Sequence, residues 1–136
     1  MIVEDKALKL LYLSIIALSA SNEDQINFTK PGCIYCDLIN DFDNCLNNWV
    51  SGYQFSDIKK NALNNIEKAV ESFIEQKYPC YDAIYQNTLE WENIRTKSKE
   101  AMLVFKIKNI KLPVSIKNEN DVWKTDITEC LIEVRD

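Results

Sequence analysis

The sequence predicts a mainly α fold with a small C-terminal β-hairpin (α+β): about four helices in one domain spanning residues 1–136. Three observations carry this. Only 2 Gly and 3 Pro encode few tight turns, so helices joined by short connections are expected. Apolar residues recur at three- and four-residue spacing through most of the first 105 positions. Beyond residue 109 the pattern changes to alternation, the period of a half-buried strand. At 136 residues, 46% apolar and 27% charged, the chain has the length and composition of one domain around one core.

The first helix is expected over 3–19, where Leu8, Leu11, Ile15 and Leu18 form a stripe widened by Leu10 and Ile16. The run Leu10 to Ala20 is too short to cross a bilayer, which takes about 20 apolar residues. Glu4 and Asp5 precede it, where a secretory leader carries positive charge. A buried helix of a cytoplasmic protein is the expectation. Residues 20–32 collect Asn, Asp, Ser, Pro and Gly and are expected to be loop, with Ile26 and Phe28 as the large apolar side chains.

The second helix is expected over 34–50. Leu38, Phe42, Cys45 or Leu46, and Trp49 make its buried stripe, and Gly52 its C-terminal stop. Asp37, Asp41, Asn44 and Asn48 recur on another face. Ser56 and Asp57 suit the start of a third helix, 57–77, which buries Ile58, Ala62, Ile66, Ala69 or Val70, and Phe73 before Pro79. Asn87 with Glu90 fits a capping box for a fourth helix, 88–105. Trp91, Ile94, Ala101, Met102 and Phe105 face inward there, with Glu92, Arg95, Thr96 and Lys99 outside. The hairpin is expected over 110–134. Ile110, Leu112, Val114 and Ile116 alternate, Asn118–Asp121 turns, and Thr128, Cys130, Ile132 and Val134 alternate again. Pro113 removes a donor and demotes the first strand to an edge.

Function classes narrow from composition. The chain has no histidine, the residue most used for proton transfer near neutral pH. Nucleophile-elbow, phosphate-loop and dinucleotide motifs are missing, and two glycines cannot build a Gly-rich phosphate cradle. No enzymatic activity and no cofactor are therefore expected. A net charge of -5 without a Lys/Arg cluster argues against nucleic acid as partner. That negative balance sits in residues 1–58, with 8 acidic and 3 basic residues; residues 59–136 carry 13 of each. An acidic face and a basic protein partner are the expectation, with the free chain a monomer off the membrane.

Of the five cysteines, Cys33 and Cys36 form a C-x-x-C, and Cys45 with Cys80 would complete four zinc ligands. The same pair at a helix N-terminus could serve as a redox dithiol, but no strand precedes it as in thioredoxin-like units. Buried reduced thiols are the simpler reading, so no metal is assigned and Cys33, Cys36, Cys45 and Cys80 stay as ligand candidates. The partner-binding candidates are Asp37, Asp41 and Asp43 as electrostatic contacts, Glu23 and Asp24 steering from the loop, and Tyr35 and Tyr53 as anchors. Trp49 is expected in the core.

The Pro31-Gly32-Cys33 loop entering Asp37-Leu38 and Asp41-Phe42-Asp43-Asn44 resembles the immunity proteins of bacterial polymorphic toxin systems, including contact-dependent growth inhibition. Arg95, Ala101 and Phe105, with Val122-Trp123 in a short C-terminal segment, extend the resemblance to about half the chain. It implies a small cytosolic protein without enzymatic activity. Such a protein binds and neutralises one cognate toxin domain, often a nuclease, by covering its active site or a neighbouring surface. The binding candidates above rest on charge and exposure, not on the resemblance. A helical adaptor or complex subunit, and a cysteine-based zinc or redox protein, are the alternatives.

Overall fold

The computed structural model describes residues 1–80, 83–127 and 130–135. Among the described residues there are five α-helices: α1 Lys6–Ser19, α2 Asn22–Thr29, α3 Ile34–Asn44, α4 Asp57–Glu75 and α5 Leu89–Val104. A π-helical turn, Cys45–Trp49, continues α3, and a 3-10 turn, Ala83–Asn87, leads into α5. Two-residue strands β1 (Ile116–Lys117) and β2 (Trp123–Lys124) pair antiparallel.

α1 is the central helix. Asp5 caps it by accepting from the Leu8 N–H at 3.0 Å, and every residue from Leu11 to Ser19 is buried. Burial around the whole circumference follows from its position between α5 and α3. α4 and α5 form the most extensive helix pair, closed by Ile66, Ala69, Val70 and Phe73 on one side and Trp91, Ile94, Ala101 and Met102 on the other. Phe73 touches the rings of Tyr35, Tyr78, Tyr85 and Trp91, with centroids 5.0–5.5 Å apart. These edge-to-face and tilted contacts are the preferred aromatic geometries.

Several expectations are corrected. The helix count is five, because residues 22–29 are helical rather than loop. Ser21 caps α2 by accepting from the Asp24 N–H, and Glu23 and Asp24 sit in its first turn. Its buried residues are Gln25 and Thr29, so α2 has no apolar stripe to read. The second expected helix changes winding at Cys45, where the Val50 N–H reaches back to the Cys45 carbonyl. That wider turn takes Trp49 off the face shared by Leu38, Phe42 and Cys45, and Trp49 is 44% exposed. Gly52 is not the stop: its φ is not positive, and the capping position is Val50. α4 ends at Glu75, and Lys77 (φ 54°) takes the left-handed conformation. Ile58, at the start of α4, is 64% exposed rather than buried. α5 is capped by Thr88, whose Oγ1 accepts from the Trp91 N–H at 3.2 Å, one residue later than the Asn87–Glu90 box. Arg95 lies inside rather than outside. Its Nε donates to the Ala20 carbonyl at 2.8 Å, its other nitrogens reach Glu92 and Asn22, and it thereby serves the C-terminus of α1.

The hairpin is much shorter than 110–134. Its turn is as expected: Asn118 Oδ1 accepts from the N–H groups of Asn120 and Val122. The strands are short because residues before Ile116 lie against α2 instead of a partner strand. The Ser115 N–H donates to the Asn27 carbonyl and its hydroxyl to that of Lys30. Ser115 is buried while Val114 and Ile116 are exposed, which inverts the alternation. Further on, Ile2 bridges Glu133 and Ile107 bridges Val134, so residues 132–135 lie between the N-terminal residues and the segment after α5. Thr128 lies outside the described residues. No helix among the described residues is long and apolar enough to cross a membrane.

Candidate functional site

Asp37, Asp41 and Asp43 all project from α3, and α4 adds Glu67, with Glu71, near Asp43. Asp37, Asp41, Glu67 and Glu71 are exposed, and Asp43 is half-buried. Partial burial pushes the Asp41 carboxyl above its ordinary value, and the charge of Asp37 adds to this. Glu67 is raised in the same way, first by burial and then by Asp43 and Glu71. Asp37 and Asp43 are raised by burial. Ion pairs lie elsewhere: Arg95–Glu92, Lys97–Glu100, Lys108–Glu133 and Lys117–Asp121. The carboxylates thus form two groups: Asp37 with Asp41, one helical turn apart, and Asp43 with Glu67 and Glu71 on another side of α3. Asp37 is further positioned by the loop, since its carboxylate folds over Gly32 into the space a Cβ would fill.

Asp41 also borders a cleft of about 130 Å³ between α1 and α3. Leu10, Leu13, Leu38, Phe28 and Ile127 give it an apolar lining, and the exposed Asn44 and Trp49 stand beside Asp41 at its opening. Cavities of about 150 Å³ accept a benzene ring, so this one suits a single aliphatic or aromatic side chain. Trp49 is held by Lys6, whose ammonium lies 6.0 Å from the ring centroid.

The other candidates separate from this face. Glu23 and Asp24 stand in the first turn of α2, not in a loop, and Asp24 lines a different cleft with Lys99 and Arg135. Tyr35 is built into the fold: its ring packs edge-on to Phe73 and Tyr85, and its hydroxyl donates to the Tyr78 carbonyl at 2.7 Å. Tyr53 is 38% exposed, but its hydroxyl donates to both carboxylate oxygens of Asp5, at 3.0 and 2.9 Å, and so supports the cap of α1. The Leu8 N–H and then Tyr53 hold the Asp5 carboxyl below its ordinary value. Glu67, Glu71 and the exposed Trp49 are the site residues that sequence reasoning did not assign.

The thiols divide. Cys33, Cys36 and Cys80 bring their sulfurs within 4.8 Å of one another. Cys33 occupies the capping position of α3 and Cys36 its first turn, while Cys80 arrives from the segment after α4. Cys45 is not among them. It is buried beside Ser14 in the α1–α3 contact, and burial with the Asp41 charge pushes its thiol up to about 11. No family model, curated protein or solved structure matches the chain in the comparisons made with known proteins.

Proposed function

We propose that this chain is a stoichiometric protein inhibitor of the immunity type, which binds a basic toxin domain through the acidic surface of α3, extended by the carboxylates of α4, and performs no chemistry itself. The observation that carries the reading is the juxtaposition of the exposed Asp37–Asp41 pair with an apolar cleft whose opening holds Asp41 and Trp49. Exposed like charges repel one another in the free protein, and a partner rich in Lys and Arg relieves that repulsion on binding. Such a face speeds encounter and selects against acidic partners. The cleft supplies what charge alone does not, a dry pocket for one anchoring side chain beside an exposed tryptophan. A nuclease domain is the natural occupant, because a surface that holds nucleic acid is basic.

The protein acts in the cytoplasm as a monomer that awaits its partner, and Asp37, Asp41 and Asp43 make the principal contacts, joined by Glu67, Glu71 and Trp49. Capture with tagged protein from the cells that make it, followed by mass spectrometry and light scattering, tests this. A one-to-one complex with a basic domain, weakened as salt is raised, supports the reading. Recovery of a multi-subunit housekeeping complex, unaffected by salt, replaces it with the adaptor reading.

A further inference from the structure

We propose that Cys33, Cys36 and Cys80 form a three-thiolate site for zinc, which ties the N-terminus of α3 to the segment following α4. The three sulfurs come from two parts of the chain far apart in sequence, which the Tyr35 hydroxyl joins by its bond to the Tyr78 carbonyl. The Cys33 thiol makes no capping hydrogen bond to α3. The Cys36 and Cys80 sulfurs stand 3.6 Å apart. Zinc–sulfur bonds of about 2.3 Å at tetrahedral angles place sulfurs about 3.8 Å apart, so this edge already has the right length. The longest edge of the triangle is no more than 4.8 Å, and it need close by only about 1 Å.

The surroundings suit thiolates. Cys33 and Cys36 occupy the capping position and first turn of an 11-residue helix, where backbone N–H groups and the helix dipole favour negative charge. The Tyr35 hydroxyl lies 3.3 Å from the Cys80 sulfur, so its single proton, directed at the Tyr78 carbonyl, is also within reach of a thiolate there. Three thiolates this close repel one another, and a divalent cation removes that obstacle, so the metal is what allows all three to ionise together. The thiol protons leave to solvent and no oxidant is needed. Cys33 is buried, Cys36 half-buried and Cys80 exposed, so the site is closed on one side and open on the other. The fourth zinc position faces that open side and takes water or an external ligand.

This inference does not depend on the toxin-binding reading, and either can fail alone. The probe is cobalt(II) titrated into the reduced full chain, followed by zinc displacement. The expected result is saturation near one equivalent, with tetrahedral d–d bands and thiolate charge-transfer absorption that zinc abolishes. Cys80→Ser, at an exposed position that leaves the core intact, weakens binding at least about tenfold and removes part of the charge-transfer band. Cys45→Ser leaves both unchanged. Zinc also raises the Tm of the wild type and not that of Cys80→Ser. Absence of saturable cobalt binding overturns the site, as does cobalt affinity and absorption unchanged in Cys80→Ser or lost in Cys45→Ser.

Discussion

Gln25 is the polar hinge of the core, and replacing it with leucine is the most exposed prediction of the packing. Its side chain is fully buried and joins four parts of the fold. The amide nitrogen donates to the Ala17 and Leu18 carbonyls at the end of α1, at 3.0 and 3.3 Å. The amide oxygen accepts from Trp91 Nε1 at 3.1 Å, Gln86 Nε2 at 3.2 Å and an Arg95 nitrogen at 3.4 Å. Leucine keeps the volume and removes every one of these. Arg95 retains Ala20, Asn22 and Glu92, and the Ala17 carbonyl retains the Ala20 N–H. Trp91 Nε1 and the Leu18 carbonyl lose the partner that Gln25 supplied. A buried polar group left unpaired costs about 1–3 kcal/mol, so the expected loss is about 4 kcal/mol. For a chain of this length that lowers Tm by about 12–15 °C. Urea unfolding gives the free energy directly. Adding Trp91→Phe removes one of the orphaned groups, so the double variant is expected to lose clearly less than the sum of the two singles. A loss below about 1 kcal/mol, or strict additivity, would refute the network as the tie between α1, α2 and α5.

Phe73→Ala removes the ring at the centre of the aromatic cluster and is expected to cost about 3–5 kcal/mol, read by chemical denaturation. Trp49→Ala is expected to cost only about 1 kcal/mol of unfolding free energy, since the residue is 44% exposed and the rest of it lines the cleft beside Lys6, and to weaken partner binding. The pH dependence has a worked sign. Asp41, Asp43 and Glu67 have raised folded values, so the native state binds protons more readily, and stability increases as pH falls from 7 toward about 5. Asp5 and Glu133 have lowered values, so the stability they contribute is lost at more acid pH, below about 4. A dome in Tm against pH is expected, and Asp41→Asn with Glu67→Gln flattens its neutral limb. Solvent screening limits that gain to a few tenths of a kcal/mol. A Tm that falls steadily from pH 7 to 5 contradicts the assignment.

What was legible in the sequence follows from physics that is local. α4 and α5 announce themselves by apolar spacing, since each buries one stripe against the other. α2 does not, because its buried face is Gln25 and Thr29 and its energy lies in hydrogen bonds to residues far along the chain. The alternation after residue 109 was visible, but which backbone carbonyls would pair with it was not, and those of α2 took the place of a partner strand. Trp49 was misplaced because a π turn cannot be read from spacing. Within the site, the spacing of Asp37 and Asp41 marked a helix face at once. Glu67 and Glu71 were hidden, since nothing in the spacing of α4 states which of its faces lies beside α3. Cys45 was wrongly grouped for a geometric reason: nine residues beyond Cys36 along a helix is about 13 Å of rise, too far to share a metal.

The most direct test of the binding claim is calorimetric titration of the captured basic domain into wild type and into Asp37→Lys with Asp41→Lys, both variants first shown to be folded by circular dichroism. The account predicts a one-to-one complex whose Kd rises at least tenfold in the charge-reversed protein, about 1.4 kcal/mol, with a shallower salt dependence. Equal affinity and equal salt dependence for the two proteins would contradict it and place the interface elsewhere on the fold.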